Sequence, residues 1–234
     1  MRKSRGSLKL ASTMPHRPVI KEDKTTTKVR IIYDCSANAG EYSLNECLYK
    51  GVCLTPLIFD SWLQFRLNPV ALVADIESAY LQISIVPEQR NFLRFLWYKD
   101  VSNNDYSIQK LRFARVIFGA APSQYLLNSV IRKHVEQYHE TDPDFEKMVK
   151  EGFYVDDLNI SLKTTVEAVE FYKKCKVRFA EAGFNIRKWR SNDNNLKEVF
   201  SRNEVCYEEN ENAKVLGFNW NDSTDDLLFD LDQT

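Results

Sequence analysis

The chain has 234 residues, 44% of them hydrophobic and 12% aromatic, and a formal net charge of −1. This is room for one large or two small domains with a real core. A membrane-spanning helix is excluded, because no apolar run approaches the roughly 18 residues one needs, and a near-neutral charge does not by itself announce a nucleic-acid binder.

The distribution of charge is less even. Residues 1–30 hold nine Lys/Arg against two acids, and residues 172–190 hold seven against one. Residues 205–234 reverse this, with one Lys against eight acids. Basic stretches of this kind either contact phosphates or form solvated faces. Cysteines stand at 35, 47, 53, 175 and 206, an odd count without a C-x-x-C pair. Free thiols in a reducing compartment are expected rather than a disulfide frame or a zinc site. The N-terminus has no continuous apolar segment and does not read as a signal peptide.

Residues 1–14 are basic and serine-rich and are expected as a disordered tail. Pro15 and Pro18, followed by threonines, predict an extended segment or hairpin over 15–27. Val29 to Tyr33 predicts a strand, with Lys28 and Arg30 on one face by period two. Thr55-Pro56 predicts the N-cap and first turn of a helix running from Leu57 to Arg66, stopped before Asn68-Pro69. Its stripe of Phe59, Trp62, Leu63 and Arg66 is expected in the core. Val70-Ala71-Leu72-Val73-Ala74 does not alternate, so it reads as a central strand covered on both faces, with Asp75 as its first polar residue.

Pro87 to Arg90 suggests a helical turn. Leu93–Tyr98 and Tyr106–Phe118 read as strands around a polar loop at 102–105. After Gly119, the residues Leu126, Leu127, Val130, Ile131, His134, Val135 and Tyr138 recur at helical spacing. His134 and His139 have no acid or Cys partner at ligand spacing and are expected exposed. Phe153-Tyr154-Val155 and Ile160 are strand formers around the turn formers Asp156, Asp157 and Asn159, which predicts a tight hairpin with two acids at its tip. Thr164 to Glu167 is a capping box for a helix with Val166, Val169, Cys175 and Phe179 as its apolar stripe and Gly183 as its stop. A strand from Phe184 to Trp189 follows. The last stretch, Asp222 to Asp232, alternates Leu and Asp as a hairpin or a frayed end.

Two strands ending in acids, with Asp75 and Asp156 81 residues apart, can lie side by side in one sheet. That would join Asp75, Asp156 and Asp157. Two unit charges about 4 Å apart repel by roughly 4 kcal/mol at an effective dielectric of about 20. A pair of divalent ions reverses that sign, and two metals about 3.5–4 Å apart are the usual device for in-line phosphoryl transfer.

Tyr154-Val155-Asp156-Asp157, with Asp75-x-x-x-Ala79-Tyr80 upstream, resembles the palm of a reverse transcriptase. The surrounding text is closer still to the Bel/Pao group of LTR retrotransposons. The similar segments are Pro15 to Lys21, Thr26 to Asp34, Ala74-Asp75 through Leu81-Gln82-Ile83, Leu93 to Trp97, Phe118-Gly119 and Arg187 to Asn192, in the family's order over nearly the whole chain. The resemblance implies an α+β fold: a palm of antiparallel sheet with helices on one face, plus a fingers subdomain and no thumb. Fingers are expected at about 15–69 and 87–118, and palm at about 70–86 and 119–220.

The same resemblance implies an RNA-directed DNA polymerase, a nucleotidyltransferase that adds dNTPs to a primer 3′-OH on an RNA or DNA template. It assigns catalysis to Asp75, Asp156 and Asp157. Two Mg²⁺ ions, with Mn²⁺ as a substitute, would be bound by these acids and the Ile76 carbonyl. Arg30, Lys28, Tyr80, Gly119 and Lys188 are assigned to the nucleotide, with Tyr80 as the gate against a ribose 2′-OH and Lys188 as general acid or phosphate contact. Lys21 and Lys24 are weaker phosphate candidates. Leu216, Gly217 and Phe218 resemble the primer grip. Ser123-Gln124-Tyr125 departs from the family's usual Ser-Pro-Phe. The rest of a Pol polyprotein (thumb, RNase H, protease, integrase) is expected as a partner and is not in this chain, and no membrane is expected. An intracellular setting in a cytoplasmic virus-like particle, with a nuclear step open, completes the expectation. The alternatives are a decayed or domesticated fragment that only binds nucleic acid, and a cyclase-like palm enzyme that works without a template.

Overall fold

A computed structural model describes residues 13–20, 29–38, 42–204 and 212–228. Lys21, Lys24, Lys28 and Cys206 lie outside the described residues, as do residues 1–12 of the expected tail. The chain opens with β1 (His16–Ile20), β2 (Val29–Tyr33), α1 (Leu44–Cys47), α2 (Ile58–Arg66) and β3 (Val70–Ile76). It continues through β4 (Arg94–Asp100), β5 (Asp105–Arg112), α3 (Ser123–Val135) and α4 (Pro143–Gly152). Then come β6 (Phe153–Tyr154), β7 (Asp157–Leu162), α5 (Thr165–Glu181), β8 (Ile186–Ser191) and α6 (Asn194–Asn203). Strands β9 (Asn212–Val215), β10 (Phe218–Asn221) and β11 (Asp226–Leu228) close the described chain.

These elements form two compact units, Met1–Val52 with Tyr80–Leu126, and Cys53–Ala79 with Leu127–Thr234. α2 therefore falls with β3, not with the unit that holds β1 and β2.

The first unit is built on two antiparallel hairpins, β1–β2 and β4–β5. Its core gathers Met14, Cys35, Leu44, Leu93, Ile117 and Ala120. Tyr33 stands edge-on to Phe113 at 4.8 Å, and Phe95 lies 4.9 Å from the same ring. Burial, then the nearby Asp34 charge, pushes the Cys35 thiol up to about 11. Cys35, Cys47, Cys53 and Cys175 are free, as the odd count implied. The strand expected to run from Tyr106 to Phe118 stops at Arg112.

The second unit carries a four-stranded antiparallel sheet in the order β6-β7-β3-β8. β3 is its centre, and four of its first five residues are under 8% exposed, the fifth being Val70 at 8%. Residues directly opposite share a face. Leu72 faces Ile160 and Ala74 faces Leu158, while Ala71 faces Ser161 and Val73 faces Asn159. α5 packs on this sheet, with Phe179 against Phe153 at 5.3 Å and Tyr172 edge-on to Trp189 at 4.9 Å. Thr164 caps α5 as expected by accepting from the Glu167 amide. Its buried face is Ala168, Phe171, Tyr172, Cys175 and Phe179, and Val166, expected in the stripe, is exposed.

A second core joins α2 to the three-stranded sheet β11-β10-β9 through Phe65, Ala71, Val73, Val215 and Trp220. The N-cap of α2 is Leu57, with no side-chain bond, and not Thr55. The helix buries Ser61 and Phe65, while Phe59 and Leu63 are exposed. The buried face is thus turned by roughly a third of a turn from the expected stripe, whose Trp62 still packs against this core, and Ser161 Oγ bonds the Gln64 carbonyl (2.6 Å) where the helix meets β7. Three helices were not anticipated: the short α1, capped by Ser43, and two longer ones. α4 starts at an Asp142 cap with Pro143 in its first turn, and α6 starts at an Asp193 cap. Among the described residues no helix is long and apolar enough to cross a membrane.

Candidate active site

The hairpin β6–β7 pairs Phe153 with Leu158 and Tyr154 with Asp157, which leaves a two-residue turn of Val155 and Asp156. Val155 has φ of 62°. A β-branched residue in the left-handed region costs on the order of 1–3 kcal/mol and persists only where the surroundings demand it. Here the demand is the pairing on either side.

Next to this hairpin, β3 runs antiparallel to β7 and sets Asp75 directly opposite Asp157. The Ile76 amide donates to the Asp156 carbonyl at 3.0 Å. All three acids therefore meet at one end of the sheet, as their strand-end positions implied. The Ile76 side chain is buried, and only its backbone carbonyl is suited to a ligand role.

The acids disturb one another. The Asp156 carboxyl is raised above its usual range, by burial first and then by the Asp75 charge. Asp157 is exposed as a residue, yet the protein crowded round its carboxyl is still the largest cause that pushes it up to about 6, ahead of the charges of Asp156 and Asp75. An acid whose folded pKa is raised binds more protons than it does unfolded. Stability is therefore lost as pH rises from the unfolded value near 3.8 through about 6. Asp157→Asn is expected to raise the melting temperature of the ion-free protein at pH 8 and to leave it nearly unchanged at pH 4. Parallel melts at the two pH values check this, and an equal shift at both would sink it.

Asp75 is held differently. Lys188 Nζ lies 2.9 Å from its Oδ2, and Arg187 Nε lies 3.6 Å from its Oδ1. Arg187 is tied in turn to Glu77 at 2.6 Å, and Asn185 donates to the same carboxylate. Arg187, Glu77 and Asn185 were not among the expected site residues. The dense basic stretch 172–190 was the signal for Arg187.

The other expected residues divide between the units. Arg30 is exposed on β2, paired with Val19. Tyr80 lies in a 3-10 turn, its ring 5.6 Å from that of Phe118. Gly119 has φ of 92°, and its carbonyl accepts from Asn45. These three belong to the first unit. In the second, Leu216 and Gly217 have φ of 47° and 93° and form the two-residue turn between Val215 and Phe218. Positive φ at both turn positions is the type I′ geometry that suits strand twist. Phe218 packs edge-on against Trp62 at 5.1 Å. α3 begins at Ser123 without the family's proline. His134 is half-buried and bonds the Arg178 carbonyl, and exposed His139 bonds Glu146 at 2.7 Å, a partner supplied by the unanticipated α4.

Solved structures share this architecture. The foamy viral protease-reverse transcriptase in complex with an RNA/DNA hybrid matches with a TM-score of 0.58 at 16% identity, over 90% of this chain and 22% of that one. A form of it in complex with double-stranded DNA matches equally well over 30% of its length. The native prototype foamy virus enzyme gives 0.57 over 88% of this chain. The fold is that of a reverse transcriptase. This chain spans between a fifth and a third of those proteins. No protein-family model and no curated protein matches it.

The donor set at the strand ends suits a hard divalent cation in kind: carboxylates and a backbone carbonyl, all oxygen. Asp75 Oδ1 is buried and accepts no hydrogen bond. A carboxylate oxygen without a hydrogen bond, facing Arg187 Nε only at 3.6 Å and lying beside two further acids, is a position that a cation would satisfy. The side chains as they stand do not close round one point, since among the described residues no three His, Cys, Asp or Glu converge as a metal site. Lys188 holds the other oxygen of Asp75.

Proposed function

We propose that the chain is the fingers and palm portion of an RNA-directed DNA polymerase of the Bel/Pao type, which extends a primer 3′-OH with dNTPs. One observation carries this reading above the others: Asp75 stands opposite Asp157, with Asp156 in the adjoining turn, on a sheet of reverse-transcriptase fold. Two Mg²⁺ ions, or Mn²⁺ in their place, would activate the hydroxyl and offset charge at the reacting phosphate when bound there. Asp75 and Asp156, with the Ile76 carbonyl, hold that charge, and Asp157 is the more weakly committed third acid. Lys188 lies within reach of a phosphate at the same strand ends. By the resemblance, Arg30 and Lys28 meet the triphosphate, Tyr80 excludes a 2′-OH, Gly119 adjoins the nucleotide, and Leu216 to Phe218 hold the primer end. The template–primer duplex and the remaining Pol segments are the proposed partners.

A second reading, a decayed or domesticated copy that only binds nucleic acid, is favoured by the Lys188–Asp75 pair and by the altered Ser123-Gln124-Tyr125. The two readings separate in one experiment. Primer extension on an RNA template with dNTPs and Mg²⁺ is run beside a duplex-binding titration in salt. Extension abolished by chelator supports the polymerase. Salt-sensitive binding without extension supports the binder. Neither activity would overturn both.

A further inference from the structure

The outer strand of the sheet carries an irregularity that bears on Asp75. Along β8 the buried residues are Ile186, Trp189 and Ser191, spaced by three and then by two. A regular strand alternates by two throughout. The pairing shows why: Val73 faces Arg190 but Asp75 faces Arg187, so an extra residue of β8 is accommodated opposite β3. Lys188 takes up the excess with φ of 54°. Bulges of this kind re-aim side chains. The result is that two consecutive residues, Arg187 and Lys188, both reach one carboxylate, which a regular strand forbids. Asp156 and Asp157 have no ion-pair partner within 4 Å among the described residues.

The two cations are not equivalent. Arg187 is anchored to Glu77 and half-covered, whereas the Lys188 side chain is 60% exposed and, among the described residues, forms an ion pair with Asp75 alone. Lysine is a compact point charge on a flexible stem, able to swing away at little cost.

Resting on the metal reading above, we propose that Lys188 is the resident counter-ion of Asp75, seated by the β8 bulge where a divalent cation would bind. It leaves the carboxylate when that cation arrives. Ion and ammonium then compete for one carboxylate, and the freed ammonium becomes available to a phosphate.

Competition predicts that removing the ammonium tightens ion binding. Mn²⁺ is titrated into the ion-free chain and followed by loss of the free-ion electron paramagnetic resonance signal. Lys188→Met is expected to lower the dissociation constant about 2–5-fold, the span of an exposed ion pair, with Lys188→Arg close to the parent. In parallel, acylation of Lys188 by an amine-reactive ester, read by mass spectrometry, is expected to speed up on adding Mg²⁺, and to be fast without it in Asp75→Asn. Unchanged or weaker Mn²⁺ binding in Lys188→Met, with acylation indifferent to Mg²⁺, overturns the inference. If that occurs while Asp156→Asn still abolishes Mn²⁺ binding, the metal reading stands and only the role of Lys188 falls. If no variant and no parent binds Mn²⁺, both fall.

Discussion

Asp156→Asn is expected to give a folded and slightly more stable protein that no longer extends a primer. The loss is on the order of a thousandfold or more, about 4 kcal/mol of transition-state stabilisation at 1.36 kcal/mol per decade. The reasoning joins two facts about the same carboxyl. It sits in the hairpin turn beside Asp75 and Asp157, where a bound cation would need it. Without a cation it is a partly buried carboxyl whose pKa is raised by burial and by the Asp75 charge. Asparagine keeps its shape and removes its charge, so the ion-free protein loses a repulsion while the cation loses a ligand. Extension assays with Mg²⁺ and melts with chelator, on the same preparation, measure both. Retained extension would refute the assignment. Lost extension with a collapsed melting temperature would mean that the residue serves the fold.

Trp220→Ala is expected to cause the largest loss of stability among single changes in the second unit. Trp220 is fully buried, stands edge-on to Phe65 at 5.2 Å, and donates its indole N–H to Asp225 at 2.8 Å. Asp225 also receives Arg66 of α2 at 2.7 Å. Truncation removes a large apolar contact and one of two donors to that carboxylate. Such changes cost about 3–5 kcal/mol, which for a chain of this size lowers the melting temperature by about 6–20 °C. A calorimetric melt within 2 °C or so of the parent would show that this core is not what ties α2 to the C-terminal strands.

What the sequence disclosed follows from how local each signal is. β3 was plain because five apolar residues in a row leave few alternatives, and the acid hairpin was plain because its turn formers interrupt strand formers. The convergence of Asp75 with Asp156 and Asp157 followed from both strands ending in acids. α4 and α6 went unread although Asp142-Pro143 and Asp193 are good caps; their large buried apolar side chains, Phe145 with Val149 and Leu196 with Phe200, are only pairs at helical spacing. The buried side of α2 was misjudged for a different reason. Phe59 and Leu63 are as apolar as Phe65, and the choice between the faces involves partners far off in the sequence: Val215 and Trp220 pack with Phe65, and Ser161 bonds the Gln64 carbonyl. The partner of His139, Glu146, is only seven residues away and follows once α4 is recognised. The β8 bulge left a trace in the sequence, a three-then-two spacing of Ile186, Trp189 and Ser191, but its effect on Asp75 needs the neighbouring strand.

The pairing of Asp75 with Asp157 has a consequence for how such a chain can diverge. Side chains alternate strictly along β7, so the acid and its opposite number share a face by parity alone. Substitutions along the strand leave that parity intact. A deletion or insertion of one residue between Asp157 and Leu162 does not: unless a bulge like that at Lys188 absorbs it, it turns the acid to the far face whatever the amino acids are. Copies of this chain can therefore drift widely in composition and keep the site, whereas a single codon gained or lost in that short window ends it wherever no bulge forms.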